Sequence, residues 1–165
     1  MSVTNVLVVD DDIAICRILH RMLSAEYKVQ TSQSVADALG AIEQKPFNVY
    51  VIDYKLPDGS GFDVAERILS KWGPAPIIII SSYHPSAVAL RAEKLGISAF
   101  LEKPFSRETI CNAVKKAIGS LPAVQGKMSG SDTPNRRKKA RTPKMGGCMA
   151  AVKALFRNAR HGSAR

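Results

Sequence analysis

The sequence predicts an α/β fold in which an open parallel sheet carries helices on both faces. Short β-branched runs such as residues 49–52 and 77–80 are apolar on both faces, which is typical of strands buried on both sides of a sheet. Apolar stripes with helical spacing separate these runs. Strand and helix therefore alternate five times, and this order indicates parallel strands joined by right-handed crossovers.

The predicted strands fall at five places. Residues 6–9, 49–52 and 77–80 are continuously apolar. Residues 28–31 and 99–101 are less apolar, but they stand where the alternation requires a strand. We therefore expect a sheet of five strands.

Five helices are predicted from apolar stripes and from their end signals. Asp12, Ser34 and Ser106 are N-cap residue types before the first, second and fifth helices. Gly73 and Gly96 end the third and fourth helices. The stripes are Ile15, Ile18, Leu19 and Met22; Val35, Ala38, Leu39 and Ile42; Val64, Ala65, Ile68 and Leu69; residues 88–95; and Ile110, Ala113, Val114, Ala117 and Ile118.

The charge divides the chain into two parts. The net charge of the 165 residues is +10, yet residues 1–120 contain 13 Lys and Arg against 13 Asp and Glu. Residues 121–165 contain 11 Lys and Arg against one acid, Asp132. This asymmetry is typical of a neutral domain followed by a basic tail, so the first part need not bind polyanions.

Composition favours a soluble protein of the cytoplasm. Apolar residues make up 45% of the chain, which is an ordinary globular balance. We find no apolar run long enough for a membrane span and no secretory leader. The three cysteines are too far apart for a metal motif, and an odd number makes a disulfide framework implausible.

Reactive side chains follow four of the predicted strands. Asp10 and Asp11 follow the first strand, Asp53 ends the third, Ser81 ends the fourth and Lys103 follows the fifth. Sites in open parallel sheets form at the carboxyl ends of the strands. Crowded carboxylates suit Mg²⁺, and an ammonium and a hydroxyl beside them suit a phosphoryl group. The pattern predicts a phosphoryl-transfer site.

Each of these residues also has a simpler explanation. Residues 10–12 are an acidic run of the kind that often caps a helix, and Asp53 could open the turn at 56–59. Ser81 could cap a helix, and Lys103 could be a surface residue. Their shared place at one end of successive strands favours a common site.

The motifs around these residues resemble a known family. They are VLVVDDD at 6–12, DYKLPDGSG at 53–61, IIISS at 78–82 and FLEKPF at 100–105. Residues 1–121 resemble the receiver domain of bacterial two-component response regulators. The resemblance implies a flavodoxin-like fold with strand order 2-1-3-4-5.

The resemblance implies a phosphorelay role for the acidic residues. Asp53 would accept a phosphoryl group from a sensor histidine kinase or a phosphotransfer protein. Mg²⁺ would be bound directly by Asp11 and Asp53, through water by Asp10, and by the backbone carbonyl of Lys55. Lys103 would neutralise the phosphoryl group, and its bond to Pro104 is expected to be cis.

The resemblance also implies a switch rather than an enzyme that turns over a substrate. Ser81 would move toward the phosphoryl group and Phe100 would turn inward. The fourth helix, fifth strand and fifth helix, residues 86–118, would then control a partner. A single-domain regulator, monomeric or dimeric on phosphorylation, is expected.

Some positions depart from the commonest family pattern. Ser81 stands where Thr is more usual, Ser82 where Ala is usual and Phe100 where Tyr is frequent. Lys55 and Tyr83 occupy positions that tune dephosphorylation in the family. We expect Lys55 to pair with the phosphoryl group and Tyr83 to shield it, which would give a long-lived phosphoform.

The tail allows several interpretations. Residues 122–147 are expected to be a disordered basic linker, 148–160 a short basic amphipathic helix and 161–165 a disordered end. The basic cluster at 136–141 is either a solubilising run or part of a surface, residues 136–160, that binds nucleic acid or an anionic membrane.

Two other functional classes stay open from the sequence. One is a DNA- or RNA-binding response regulator that acts through the basic tail. The other is a haloacid-dehalogenase-type phosphatase, suggested by the Asp-x-Asp spacing at 10–12. That enzyme would use Asp12 as a general acid and would leave Asp53 without a role.

Overall fold

The apolar runs form the strands of a central parallel sheet. The computed structural model describes residues 3–82 and 89–120. The strands are β1 (Asn5–Val9), β2 (Lys28–Ser32), β3 (Val49–Asp53), β4 (Lys55–Leu56), β5 (Gly59–Ser60), β6 (Ile77–Ser81) and β7 (Ala99–Glu102). The five longer strands pair in parallel in the order β2-β1-β3-β6-β7. The expected flavodoxin-like order 2-1-3-4-5 is confirmed.

Five helices follow the strands as predicted. They are α1 (Ile13–Leu23), α2 (Val35–Gln44), α3 (Gly61–Trp72), α4 (Ala89–Lys94) and α5 (Arg107–Gly119). The side chains of Asp12, Ser34 and Ser106 accept hydrogen bonds from the first turns of α1, α2 and α5, which confirms these caps. Gly73 and Gly96 have φ of 78° and 66°, values that favour glycine at a helix end.

Alternate side chains of each central strand enter two apolar layers. Leu7 packs on the face covered by α2, α3 and α4, whereas Val6 and Val8 pack on the face covered by α1 and α5. Every residue of β3 and β6 is buried, because helices cover both faces. Within residues 3–82 and 89–120, no helix is long and apolar enough to cross a membrane.

The buried face of α1 differs from the prediction. Ile18 is 46% exposed, and the buried side chains are Cys16, Leu19 and Leu23. The spacing 16, 19 and 23 also fits one helix face. The observed buried face is rotated relative to the predicted stripe and includes Cys16, a residue type that is often buried.

A short antiparallel hairpin was not predicted. Lys55 pairs with Ser60, and Leu56 pairs with Gly59, around the turn that the sequence indicated at 56–59. Two-residue strands give too few positions for a period to be detected.

Several predictions lie outside the described residues. They concern Tyr83, residues 86–88 and the segments 122–147, 148–160 and 161–165.

Candidate functional site

The parallel sheet brings the predicted residues to one edge. Asp10 directly follows β1, Asp53 and Ser81 are the last residues of β3 and β6, and Lys103 directly follows β7. The backbone N–H of Lys103 donates a 2.7 Å hydrogen bond to the carbonyl of Ser81, so the ends of β6 and β7 are joined. The strands, rather than a loop, therefore set the spacing of these groups.

Three carboxylates form a compact group at this edge. A carboxylate oxygen from each of Asp10, Asp11 and Asp53 lies within 4.8 Å of the other two. Asp10 is fully buried and Asp53 is 7% exposed, whereas Asp11 is exposed. Because β1 ends at Val9, the chain leaves the sheet here, with one carboxylate pointing inward and the next outward.

One ammonium group faces the two buried carboxylates. Nζ of Lys103 lies 2.7 Å from Oδ2 of Asp10 and 3.3 Å from Oδ1 of Asp53. The other oxygen of Asp10 accepts a 2.9 Å hydrogen bond from the backbone N–H of Asp12. The peptide bond between Lys103 and Pro104 is cis, as expected. We call Asp10, Asp11, Asp53 and Lys103 the strand-end cluster.

Burial is the largest influence on the pKa of Asp53, and Lys103 opposes it. Burial raises the pKa of Asp53 to about 6; the Lys103 ammonium opposes this rise and the Asp10 carboxylate adds to it. Burial by itself lowers the pKa of Lys103, but hydrogen bonding and the charges of Asp10 and Asp53 outweigh it and leave that pKa raised. Three carboxylates share one ammonium, so the cluster attracts a further cation.

The donor set fits a hard divalent cation. Mg²⁺ is bound by oxygen ligands, commonly one or two carboxylates, and the cluster supplies three carboxylates within 4.8 Å. A cation there would favour the ionised form of Asp53, which burial disfavours. The residues present therefore fit Mg²⁺.

A cleft of about 460 Å³ opens beside the cluster. It is lined by Asp11, Asp53, Lys55, Leu56, Pro57, Ser81 and Ser82. Lys55 is exposed at the rim, whereas Ser81 is 1% exposed. The cleft thus places carboxylates, a hydroxyl and an exposed cationic side chain around one space, which is a suitable lining for a phosphoryl group.

The residue predicted to act as an aromatic switch lies apart from the cleft lining. Phe100 is half-buried in β7 and packs against the apolar layer beneath α2, α3 and α4. Its strand partner is Ile79 of β6, two residues before Ser81. Phe100 therefore lies beside β6, close to the end of that strand. Tyr83 lies outside the described residues.

Two residues near the site have structural roles that the sequence left open. Asp12, one of the acidic run, accepts a 2.7 Å hydrogen bond from the N–H of Ala14 and so caps α1, which is the simpler explanation for that position. Gly61 begins α3, and a Cβ atom there would lie 2.2 Å from the carbonyl oxygen of Asp53. Gly61 is the last residue of the DGSG run at 58–61. The sequence does not explain why a glycine stands there, whereas the short distance to the Asp53 carbonyl shows that a side chain would not fit.

Comparisons with known proteins agree with this architecture. Residues 6–115 match the family model described as response regulator receiver domain. The chain is 36% identical over 116 residues to the acid tolerance regulatory protein ActR of Rhizobium meliloti (strain 1021), an alignment that covers 70% of this chain and 60% of ActR. It is 34% identical over 116 residues to the transcriptional regulatory protein KdpE of Mycobacterium tuberculosis, covering 70% of this chain and 51% of KdpE.

A solved structure is similar over the same region. The CheY-like receiver domain protein of Methanospirillum hungatei JF-1 superposes with a TM-score of 0.68 at 26% identity, covering 72% of this chain and 95% of that protein. The chain spans about 60% or less of the length of ActR and KdpE. The shared part is the α/β domain that carries the strand-end cluster.

Proposed function

This chain belongs to the response regulator receiver family, and from that premise we propose that Asp53 accepts a phosphoryl group from the phosphohistidine of a sensor histidine kinase or a phosphotransfer protein. The observation that carries the proposal is the placement of Asp53, a buried carboxylate on the cleft wall within 3.3 Å of Nζ of Lys103. In-line attack needs this combination of nucleophile, cleft and neutralising charge.

The transfer itself requires little covalent chemistry from the protein. A carboxylate oxygen of Asp53 bonds to phosphorus as the phosphorus–nitrogen bond of the donor histidine breaks, and the departing imidazole keeps the electron pair and takes up a proton. Asp53 must be ionised to attack, and a pKa of about 6 leaves it ionised at neutral pH. Lys103 then balances charge on the transferred oxygens.

Mg²⁺ would be held by Asp10, Asp11, Asp53 and the backbone carbonyl of Lys55. When bound, it would neutralise charge on the phosphoryl oxygens. Ser81 would donate its hydroxyl hydrogen to a phosphoryl oxygen, and the Lys55 ammonium would pair with another. The lining of the cleft supports the roles of Lys55 and Ser81, and the grouping of the three carboxylates supports the metal site.

The protein would act as a signalling domain that catalyses only its own phosphorylation and dephosphorylation. Phosphorylation would reposition Ser81 and Phe100 and alter the face built from α4, β7 and α5, through which a downstream protein would be controlled. We propose that the receiver domain acts in the cytoplasm as a monomer or a phosphorylation-dependent dimer. Membership of the receiver family favours this function over the phosphatase alternative, in which Asp12, the cap of α1, would serve as general acid.

A second function is favoured by the charge of the tail. Residues 121–165 contain 11 Lys and Arg and one acid, and the relative KdpE is described as a transcriptional regulator. Contact through residues 136–160 with nucleic acid would be strongly salt-dependent. Replacing the four basic residues 136–139 by Gln in the full chain should then weaken DNA or RNA binding and flatten its salt dependence, whereas contact with an anionic membrane would appear as binding to acidic vesicles.

Intact mass after incubation with acetyl phosphate tests the proposed function. The full chain should gain one phosphoryl group when Mg²⁺ is present and none when it is chelated. Asp53→Asn should gain none under either condition. Equal uptake by the parent and by Asp53→Asn would overturn the assignment of the phosphoacceptor.

A further inference from the structure

A carboxylate outside the strand-end cluster joins the β4–β5 hairpin to α2. Oδ1 of Asp58 accepts a 2.8 Å hydrogen bond from the N–H of Val35, and Oδ2 accepts a 2.9 Å hydrogen bond from the N–H of Ala36. These N–H groups begin α2 and lie more than twenty positions earlier in the chain. Asp58 therefore fastens the turn of the hairpin to a helix from which β3 separates it in the sequence.

The other end of the hairpin is fastened separately. The carboxylate of Asp63 accepts a 2.8 Å hydrogen bond from the N–H of Ser60, and Oγ of Ser60 accepts one from the N–H of Phe62. At the turn, a Cβ atom on Gly59 would lie 3.1 Å from both Val35 and Asp63. The hairpin is therefore held between α2 and the first turn of α3, and Asp58 supplies the α2 side.

This hairpin is also one wall of the cleft. Lys55, Leu56 and Pro57 line the cleft together with Asp53, and Asp58 follows Pro57 directly. Any shift of the turn away from α2 would move these residues relative to Asp53. The position of the Lys55 carbonyl thus depends on how firmly the turn is held.

We propose that Asp58 is a positioning residue for the metal site: its two hydrogen bonds to α2 hold segment 55–57 where the backbone carbonyl of Lys55 can serve as a Mg²⁺ ligand. The inference rests on the proposed function and adds to it a residue that touches neither metal nor phosphoryl group. Outer partners of this kind tune metal affinity because they fix the orientation of ligands.

Calorimetric titration of the full chain with Mg²⁺ tests this role. Asp58→Ala should raise the Kd for Mg²⁺ about tenfold. Asp58→Asn should fall between it and the parent, because each carboxylate oxygen of Asp58 accepts from one N–H group, and asparagine replaces one of these oxygens by an NH₂ group that can only donate. The matched control is Ser34→Ala. Oγ of Ser34 caps the same helix through the N–H of Asp37 but does not bond to the hairpin, so this change should leave the Kd within twofold of the parent.

Hydrogen exchange without metal gives a second readout. Asp58→Ala should speed exchange of the N–H of Gly61, which donates to Tyr54 across the base of the hairpin, and Ser34→Ala should not. An unchanged Kd in Asp58→Ala, or an equal loss of affinity in Ser34→Ala, would overturn the positioning role. If Asp58→Ala does not fold, the same comparison is decided by Asp58→Asn. Failure of the parent itself to bind Mg²⁺ would instead overturn the proposed function.

Discussion

The strand-end cluster and a second cluster of charges on the helices use the same chemical groups in different surroundings. The second group, here called the helix cluster, consists of Glu43 on α2 with Arg67 and Lys71 on α3. Its carboxylate is exposed and has two cationic partners. The strand-end cluster has three carboxylates for one ammonium, and two of those carboxylates are buried.

The two clusters shift carboxylate pKa values in opposite directions. Hydrogen bonds from Lys71 and Arg67 lower the pKa of Glu43, whereas burial raises the pKa of Asp53 to about 6. Water solvates the helix cluster, so its ion pairs contribute little to the free energy of unfolding. Burial with surplus negative charge leaves the strand-end cluster poised to take up a cation. A salt bridge is thus informative about function only together with its burial and charge balance.

Gly61→Ala should disturb the strand-end cluster most. The added Cβ would lie 2.2 Å from the carbonyl oxygen of Asp53, so either β3 or α3 must move. We expect the free energy of unfolding to fall by about 3 kcal/mol, the upper end for overpacking, and phosphoryl uptake to slow at least tenfold. Urea unfolding and time-resolved intact mass measure the two effects.

The matched control for that substitution is Gly40→Ala. Gly40 lies within α2, and a Cβ there would meet nothing within 4 Å. Alanine should raise the free energy of unfolding by about 0.5–1 kcal/mol, because it favours a helix interior, and uptake should not change. Equal behaviour of the two variants would contradict the close approach of α3 to Asp53.

Asp53→Asn should remove a pH dependence from the stability of the metal-free protein. Since the folded-state pKa of Asp53 is raised from 3.8 to about 6, the folded state holds this proton more tightly, and stability falls as the pH rises from about 4 to above 6. Asparagine cannot ionise. At pH 7.5 the variant should therefore be more stable than the parent by about 3 kcal/mol, measured by urea unfolding in EDTA.

The same pair of proteins provides the controls. At pH 4.5 the stability difference should shrink, since Asp53 is then largely protonated in the parent. Mg²⁺ at pH 7.5 should stabilise the parent more than Asp53→Asn. A difference between the two proteins that is constant from pH 4.5 to 7.5 would contradict the account of burial and charge.

Glu43→Gln should have the smallest effect. The folded-state pKa of Glu43 is lowered, so its contribution to stability is present above the ordinary glutamate pKa and is lost as the pH falls through the folded value. This is the opposite sign to Asp53. We expect a slight decrease in the melting temperature at neutral pH and unchanged phosphoryl uptake; a large loss of uptake would show that the two clusters are coupled.

The sequence predicted what depends on neighbouring residues in the chain. The strands followed from β-branched runs, and the caps at Ser34 and Ser106 followed from residue type. The grouping of Asp10 and Asp53 followed from the geometry of parallel strands. The roles of these residues stay proposals.

Contacts between distant parts of the chain could not be predicted in this way. The packing of helices and strands decides the two hydrogen bonds of Asp58 to α2 and the approach of Gly61 to Asp53. The residues of the PDG turn do not indicate that Asp58 will bond to α2. The exposure of Ile18 on α1 has the same origin, since the neighbouring elements decide which flank of an apolar stripe is covered.

The central claim is that Asp53, and none of its acidic neighbours, carries the phosphoryl group. Borohydride reduces an acyl phosphate to the alcohol and thus converts a phosphorylated aspartate to homoserine, which peptide mass spectrometry can locate. After phosphorylation of the full chain with acetyl phosphate and Mg²⁺, the account predicts homoserine at position 53 alone. Homoserine at position 10, 11 or 12, or reduction products at none of these positions, would contradict it.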